Sequence, residues 1–401
     1  MTKNITVLGS TGSIGLSALD VIENLDGAYR VFALSARSNW KKILEQARRH
    51  RPKYVTVFDP AAAQKLEGNL PSGVKLLPPG VESLMEISAH PQADLIVDGL
   101  VGGIGFAPLV SAIKAGKTIA LANKEPMVMA GETLMKECAR WNARIVPVDS
   151  EPSAIFQCLE CEGGAAAGDI ARVFLTASGG PFFKRRGSLS GVTPRQAVSH
   201  PRWNMGPKIS VDSATLMNKG FEAIEIAALF LLPLEKIHIV IHPQSVIHSA
   251  VEYKDGSVLA QMSRPDMRLP IQYAITYPDR KPSPVRPLDL FSIRKLEFYE
   301  PDLRRFECLS LALESARRGG GWPAVLSAAD EIAVELFLSG LIGFNDIPSL
   351  VRKTLSAYNG SGRSISISDA VEVDEWARNK ARELARTGGF RRKTAPRKIK
   401  C

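Results

Sequence analysis

Short apolar runs alternate with amphipathic stretches through the first part of the chain. Residues 5–8, 31–35, 54–58, 95–98, 118–121 and 145–147 read as buried strands, and residues 16–25, 40–49 and 108–115 place apolar positions at helical spacing between them. Strands alternating with helices predict a parallel sheet covered by helices. After Val148 the texture changes. Residues 173–176, 237–241, 246–253 and 257–262 read as strands, the last two joined through Asp255-Gly256, and predict a mixed α+β domain. Pro278, Pro282, Pro284 and Pro287 then break regular structure, and residues 288–306 read as a connector. Helical periodicity dominates from residue 309, over 309–317, 323–339 and 370–385. The expected organisation is an α/β Rossmann-type domain (1–148), an α+β domain (149–285), a connector (286–308) and a small α-helical C-terminal domain ending in a basic tail (309–401).

Composition narrows the function classes. At 401 residues the chain can form two or three cores. No apolar run reaches the ~20 residues that a membrane helix needs, and the N-terminus turns straight into a strand without the features of a secretory signal. A cytoplasmic protein with no membrane partner is expected. The net charge of +10 is uneven, with Arg386, Arg391, Arg392, Lys393, Arg397, Lys398 and Lys400 crowding the end of the chain. That pattern reads as a solvated tail, so no nucleic-acid partner is expected, and the remaining excess suits anionic small molecules. The five cysteines are scattered and read as reduced thiols.

The first chemical signal is Gly9-Ser10-Thr11-Gly12-Ser13-Ile14-Gly15, a G-x-x-G-x-x-G turn between a strand and a helix. In that setting backbone N–H groups can meet a pyrophosphate at the helix N-terminus. An NAD site would place an acid at the end of the second strand; here that position carries Arg37, Ser38 and Asn39. With donors and no carboxylate to repel it, a 2′-phosphate is the better guest, and NADPH is preferred over NADH.

A second signal is Asp149-Ser150-Glu151, two carboxylates one residue apart just beyond a strand; if the segment is extended there, both acids can point to one side. A third acid, Glu222, closes the polar stretch 213–222. Three carboxylates without histidine suit a hard cation with open positions, Mg²⁺ or Mn²⁺ rather than zinc. Phosphate donors are present in Ser178-Gly179-Gly180, Ser213, Asn218 and Lys219. The loop 199–208, with His200, Trp203, two prolines and a glycine, reads as a lid that closes over a ligand.

LGSTGSIG, LANKE, PVDSE, ASGGPF, HPRWNMG, SVDSATLMNKGFE, IHPQSVIHS and PDMRLPIQYA occur in this order between residue 4 and about residue 385. In combination and spacing they resemble the 1-deoxy-D-xylulose 5-phosphate reductoisomerase family. The resemblance implies reduction and rearrangement of that small phosphorylated sugar with NADPH and a divalent metal, by a homodimer. It implies Asp149, Glu151 and Glu222 as metal ligands. Thr11, Gly12, Ser13, Ile14, Asn123, Glu125 and Gly206 fall at the cofactor, with Ser38 and Asn39 near its ribose phosphate. Lys124, Ser150, Glu151, Ser178, His200, Ser213, Asn218, Lys219 and Glu222 fall at the substrate, covered by Trp203 and Met205. Lys124, Glu151 and His200 are the catalytic candidates. Arg37 stands where relatives often have a small residue, and Asp330 where an asparagine is common.

Two rival classes make different demands. A semialdehyde-type NADP-dependent dehydrogenase needs an activated cysteine, for which Cys158 is the candidate. A cofactor-sensing nucleic-acid-binding protein would rely on the basic tail, but the sequence carries no helix-turn-helix or aromatic-basic platform to support it.

Overall fold

Alternating apolar strands and amphipathic helices produce a parallel sheet over residues 3–147. The computed structural model describes residues 2–25, 27–161, 168–203 and 205–390, so the tail beyond Phe390 lies outside the described residues. The strands are β1 (Lys3–Leu8), β2 (Tyr29–Ala36), β3 (Tyr54–Val57), β4 (Lys75–Leu76), β5 (Leu95–Asp98), β6 (Thr118–Leu121) and β7 (Arg144–Pro147). Their spatial order, β4-β3-β2-β1-β5-β6-β7, reverses direction between β1 and β5. That junction is where open α/β sheets bind ligands, outside the carboxyl ends of the strands. Buried on both faces, the central strands are predominantly apolar, with Ile5, Val7, Val97 and Ala120 almost inaccessible and Thr6, Ser35 and Asp98 as buried polar exceptions.

The chain forms two compact units. The first comprises Met1–Pro126, Leu134–Ala165 and Ala260–Ser292. Its late segment supplies the helix Arg268–Thr276, whose Ile271, Ala274 and Ile275 join the core of the parallel sheet. Arg268 ties this helix to Asp20 on the helix Ser13–Glu23, with Nη1 donating to Oδ2 at 3.0 Å.

The second unit comprises Met127–Thr133, Ala166–Leu259 and Ile293–Cys401. Strands β8 (Ile170–Ala177), β9 (Ile237–Ile241), β10 (Ile247–Tyr253) and β11 (Val258–Met262) form a mixed sheet in the order β11-β10-β8-β9. The helices Glu307–Arg318, Trp322–Leu338, Asp346–Ser356 and Ile367–Thr387 share one apolar core with Met217–Leu229, built around Phe221, Val325, Phe337 and Leu350. The connector is more ordered than its prolines suggest: Ile241 and Tyr299 exchange two backbone hydrogen bonds at 2.8 and 2.9 Å. Among the described residues no helix is long and apolar enough to cross a membrane.

Candidate active site

In the first unit the glycine turn follows β1 directly. Gly9 has φ +70°, and a methyl group there would stand 2.6 Å from the Gly99 carbonyl oxygen, so close approach of β5 demands glycine. At Gly15 a methyl would meet the Gly9 oxygen at 2.5 Å, which is how the helix Ser13–Glu23 starts hard against the turn. Gly12 caps that helix without a side-chain hydrogen bond, so its first N–H groups remain available to an anion. Thr11 to Ile14 reach the surface here, as do Arg37, Ser38 and Asn39 at the end of β2. The Asn39 Oδ1 accepts from Lys42 N at 3.2 Å and caps the helix Trp40–His50.

Asn123, Lys124 and Glu125 are buried where β6 meets the helix Glu125–Trp141. Asn123 Nδ2 donates to the Gly102 carbonyl at 3.1 Å, and Gly105 must lack a side chain for the amide to fit. Strands β6 and β7 pair with Leu121 opposite Pro147, so the residues just beyond each emerge side by side. Lys124 Nζ accordingly reaches Asp149 Oδ2 at 2.5 Å.

The segment after β7 is not extended. Ser150–Cys161 is a helix, with Ser150 N donating to Asp149 Oδ1 at 3.0 Å and Ser153 N to the Asp149 carbonyl at 2.9 Å. The two acids therefore sit at the N-terminal end of that helix. Ser150 Oγ donates to Glu151 Oε2 at 2.6 Å.

In the second unit His200 is oriented by its own loop. Its Nδ1 accepts from Arg202 N at 3.1 Å and Trp203 N at 2.9 Å. A neutral ring then carries its proton on Nε2, which lies 2.9 Å from Ser178 Oγ and donates to it. Ser178 Oγ also accepts from Gly180 N at 3.2 Å. Gly180, at φ +65°, brings this turn against the Ser213 carbonyl on the helix Pro207–Thr215. Gly206 caps that helix, and Trp203 lies with its ring 6.2 Å from that of His248. Asn204 lies outside the described residues.

Leu216, at φ +59°, turns the chain into the helix Met217–Leu229. There Glu222 is fully buried, accepts from Asn218 Nδ2 at 2.5 Å and pairs with Lys219 Nζ. A carboxylate in such surroundings persists as an anion only with cations and donors at hand.

Two polar residues that the sequence reading missed lie at the carboxyl edge of the parallel sheet. Asp98 ends β5, and burial pushes its carboxyl up to about 7 against the Leu100 N–H that it accepts. Gln46 is buried against Ser10 of the turn; the available signal was an amide among Ile43, Leu44 and Ala47 on the apolar face of its helix.

Cys158 is buried, and desolvation pushes its thiol up to about 11, which removes the thiolate that a semialdehyde-type dehydrogenase requires. Cys138, Cys158, Cys161 and Cys308 are all free thiols.

Three family descriptions match successive parts of the chain: 1-deoxy-D-xylulose 5-phosphate reductoisomerase over residues 5–131, its C-terminal domain over 145–230, and DXP reductoisomerase C-terminal domain over 262–380. The 1-deoxy-D-xylulose 5-phosphate reductoisomerase of Elusimicrobium minutum is 59% identical over 95% of this chain and 97% of its own length. That of Methylobacillus flagellatus is 50% identical over 96% and 98%. Among solved structures, the Zymomonas mobilis enzyme in complex with NADPH aligns with a TM-score of 0.87 at 43% identity, covering 96% of this chain and 99% of that one. A DOX-P reductoisomerase in complex with NADPH, fosmidomycin and magnesium aligns at 0.90 and 39% identity, covering 96% and 98%. This chain belongs to the 1-deoxy-D-xylulose 5-phosphate reductoisomerase family.

Proposed function

We propose that the protein converts 1-deoxy-D-xylulose 5-phosphate to 2-C-methyl-D-erythritol 4-phosphate with NADPH and Mg²⁺ or Mn²⁺, for isoprenoid precursor synthesis. The observation that carries this reading is 59% identity to a reductoisomerase across 95% of the chain. Asp149, Glu151 and Glu222 form the metal-ligand set. All three are carboxylates, the donor type a hard cation requires. When bound, the metal supplies Lewis acidity to the ketone and its neighbouring hydroxyl oxygen. NADPH supplies the reducing equivalent for the aldehyde left by the carbon–carbon shift.

The remaining work belongs to the protein's own groups. Lys124 balances the Asp149 carboxylate at 2.5 Å and, with Glu151 and His200, is available to move protons at the substrate hydroxyls. Ser178, its Oγ already accepting from Gly180 N, gives its hydrogen to a substrate oxygen. Ser150, Ser213, Asn218 and Lys219 complete the polar contacts to the phosphorylated sugar, and Trp203 and Met205 exclude water above it. Ser13 and Ile14 at the helix N-terminus, with Thr11 and Gly12 of the turn, would hold the pyrophosphate, the Gly12 N–H itself being engaged by the Gly9 carbonyl at 3.0 Å; Arg37, Ser38 and Asn39 would hold the 2′-phosphate, and Asn123, Glu125 and Gly206 would line the nicotinamide side.

The functional modules are residues 1–148 for the cofactor, 149–285 for metal and substrate, 286–308 as connector and 309–401 as helical support. The active form is a cytoplasmic homodimer. Incubation of the purified protein with substrate, NADPH and Mg²⁺, followed by mass spectrometry and NMR of the products, tests the reading. 2-C-Methyl-D-erythritol 4-phosphate is the expected product, and its absence with intact, folded protein overturns the assignment.

A further inference from the structure

Ser10, the second residue of the glycine turn, is fully buried and has every polar group engaged. Its N–H donates to the Ser35 carbonyl on β2 at 2.8 Å. Its Oγ donates to Gln46 Oε1 at 2.7 Å, and Gln46 Nε2 returns a hydrogen bond to the Ser10 carbonyl at 2.8 Å. Gly9 N donates to Ser35 Oγ at 3.1 Å, so the turn is fastened to β2 on one side and to the helix Trp40–His50 on the other.

Packing alone does not call for an amide at position 46. The residue is 5% exposed on a helix face otherwise made of Ile43, Leu44 and Ala47, where an aliphatic side chain would fill the space but leave the buried Ser10 hydroxyl and carbonyl without this partner. What the amide adds is two directional bonds to one residue of the turn. The helix that carries it begins immediately after Arg37, Ser38 and Asn39. Gln46 therefore links the loop that faces the pyrophosphate to the element whose first residues face the 2′-phosphate.

We propose that Gln46 is a positioning residue for NADPH: its two-point clamp on Ser10 sets the separation between the pyrophosphate turn and the 2′-phosphate end of the cofactor site. The assignment rests on the reading of these two segments as the NADPH site. A ligand with anionic groups at both ends depends on that separation. NADH, lacking the 2′-phosphate, depends on the turn alone. Loss of the clamp thus weakens NADPH more than NADH and narrows the preference between them.

The test compares Gln46→Met, Gln46→Glu and Ser10→Ala with the parent by fluorescence titration of NADPH and NADH, by steady-state kinetics and by thermal unfolding. Q46M keeps the volume and loses both bonds. It should raise the NADPH Kd about tenfold, narrow the NADPH/NADH ratio, and leave kcat at saturating NADPH and the KM for 1-deoxy-D-xylulose 5-phosphate within about twofold. S10A removes one of the two bonds and should give a smaller change of the same kind. In Q46E a protonated carboxyl can accept from Ser10 Oγ and donate to the Ser10 carbonyl as the amide does, whereas the ionised form sets an anion against that carbonyl. Its NADPH Kd should accordingly approach the parent value near pH 5 and rise toward about pH 8, since burial raises a carboxyl pKa.

A Q46M protein that unfolds earlier but binds NADPH as the parent does assigns the clamp to stability and overturns the proposal. Equal losses in kcat, substrate KM and NADPH affinity do the same. If Q46M does not fold, S10A and the pH dependence of Q46E decide in the same terms. A parent protein that binds no NADPH removes the cofactor reading itself, and this inference with it.

Discussion

Three glycines of the second unit separate backbone strain from steric displacement at the Ser178 turn. Gly180 has φ +65°, and a methyl group there would stand 2.5 Å from the Ser213 carbonyl oxygen. A comfortable carbon–oxygen contact is about 3.3 Å, so the Gly180→Ala substitution forces the turn and the helix Pro207–Thr215 apart by roughly 0.8 Å. The left-handed conformation costs an alanine about 1–2 kcal/mol, and overpacking adds about 1–3 kcal/mol, for a combined loss of about 2–5 kcal/mol. Gly187 has φ +86° with nothing within 4 Å, so Gly187→Ala carries only the conformational cost, about 1–2 kcal/mol. Gly191 has neither constraint, and Gly191→Ala should stay within about 0.5 kcal/mol.

Function should divide differently. Because Ser178 and Ser213 both face the substrate in the proposed site, a shift approaching 1 Å lowers kcat by up to about 100-fold in G180A. G187A and G191A should retain kcat. Urea unfolding read by circular dichroism gives the stabilities, and NADPH oxidation gives kcat. A G180A protein with parent-like stability and kcat, or a G187A protein that loses activity as G180A does, would refute the geometric reasoning.

Other perturbations address separate parts of the account. Glu151→Gln keeps shape and removes a ligand charge; turnover should fall about 10²–10⁴-fold while the NADPH Kd, titrated separately, stays within about twofold. Burial, with the charge of Asp212, holds the Asp330 carboxyl well above its usual value against Lys208, whose Nζ lies 3.3 Å away. Stability from that raised pKa is fully present below the ordinary carboxylate range and is lost as pH rises through the folded value. Asp330→Asn should flatten this part of the curve of urea midpoint against pH; an unchanged slope would place the dependence elsewhere. Trp203 emission, with the other tryptophans replaced, should shift when a phosphorylated substrate analogue is added in the presence of Mg²⁺, and a constant spectrum would argue against a closing loop.

The parallel sheet was legible because strands buried on both faces are predominantly apolar, and the glycine turn because φ +70° at Gly9 and the close approach at Gly15 admit no other residue. For the Asp149–Glu151 segment the alternation of side chains would put both acids on one side only in an extended chain, whereas the helix begins at Ser150 and carries Pro152 in its first turn, where a missing N–H costs nothing. The connector misled through its prolines: Tyr299 is held by Ile241, a strand residue 58 positions earlier, which no local pattern announces. Gln46 was hidden for a related reason, since an amide inside an apolar helix face is visible in the sequence but its partner, Ser10, is 36 residues away. The helix Arg268–Thr276 illustrates the same limit: amphipathic spacing says that one face is buried but not that Asp20 and the first sheet lie beneath it.

The central claim is that this chain performs a metal-dependent reduction and rearrangement, and dialysis against a chelator tests it most directly. NADPH oxidation with 1-deoxy-D-xylulose 5-phosphate should vanish in the dialysed protein and return on addition of Mg²⁺ or Mn²⁺, with NADPH binding retained throughout. Full turnover in the metal-free protein, or no turnover after either ion is restored to folded protein, would contradict it.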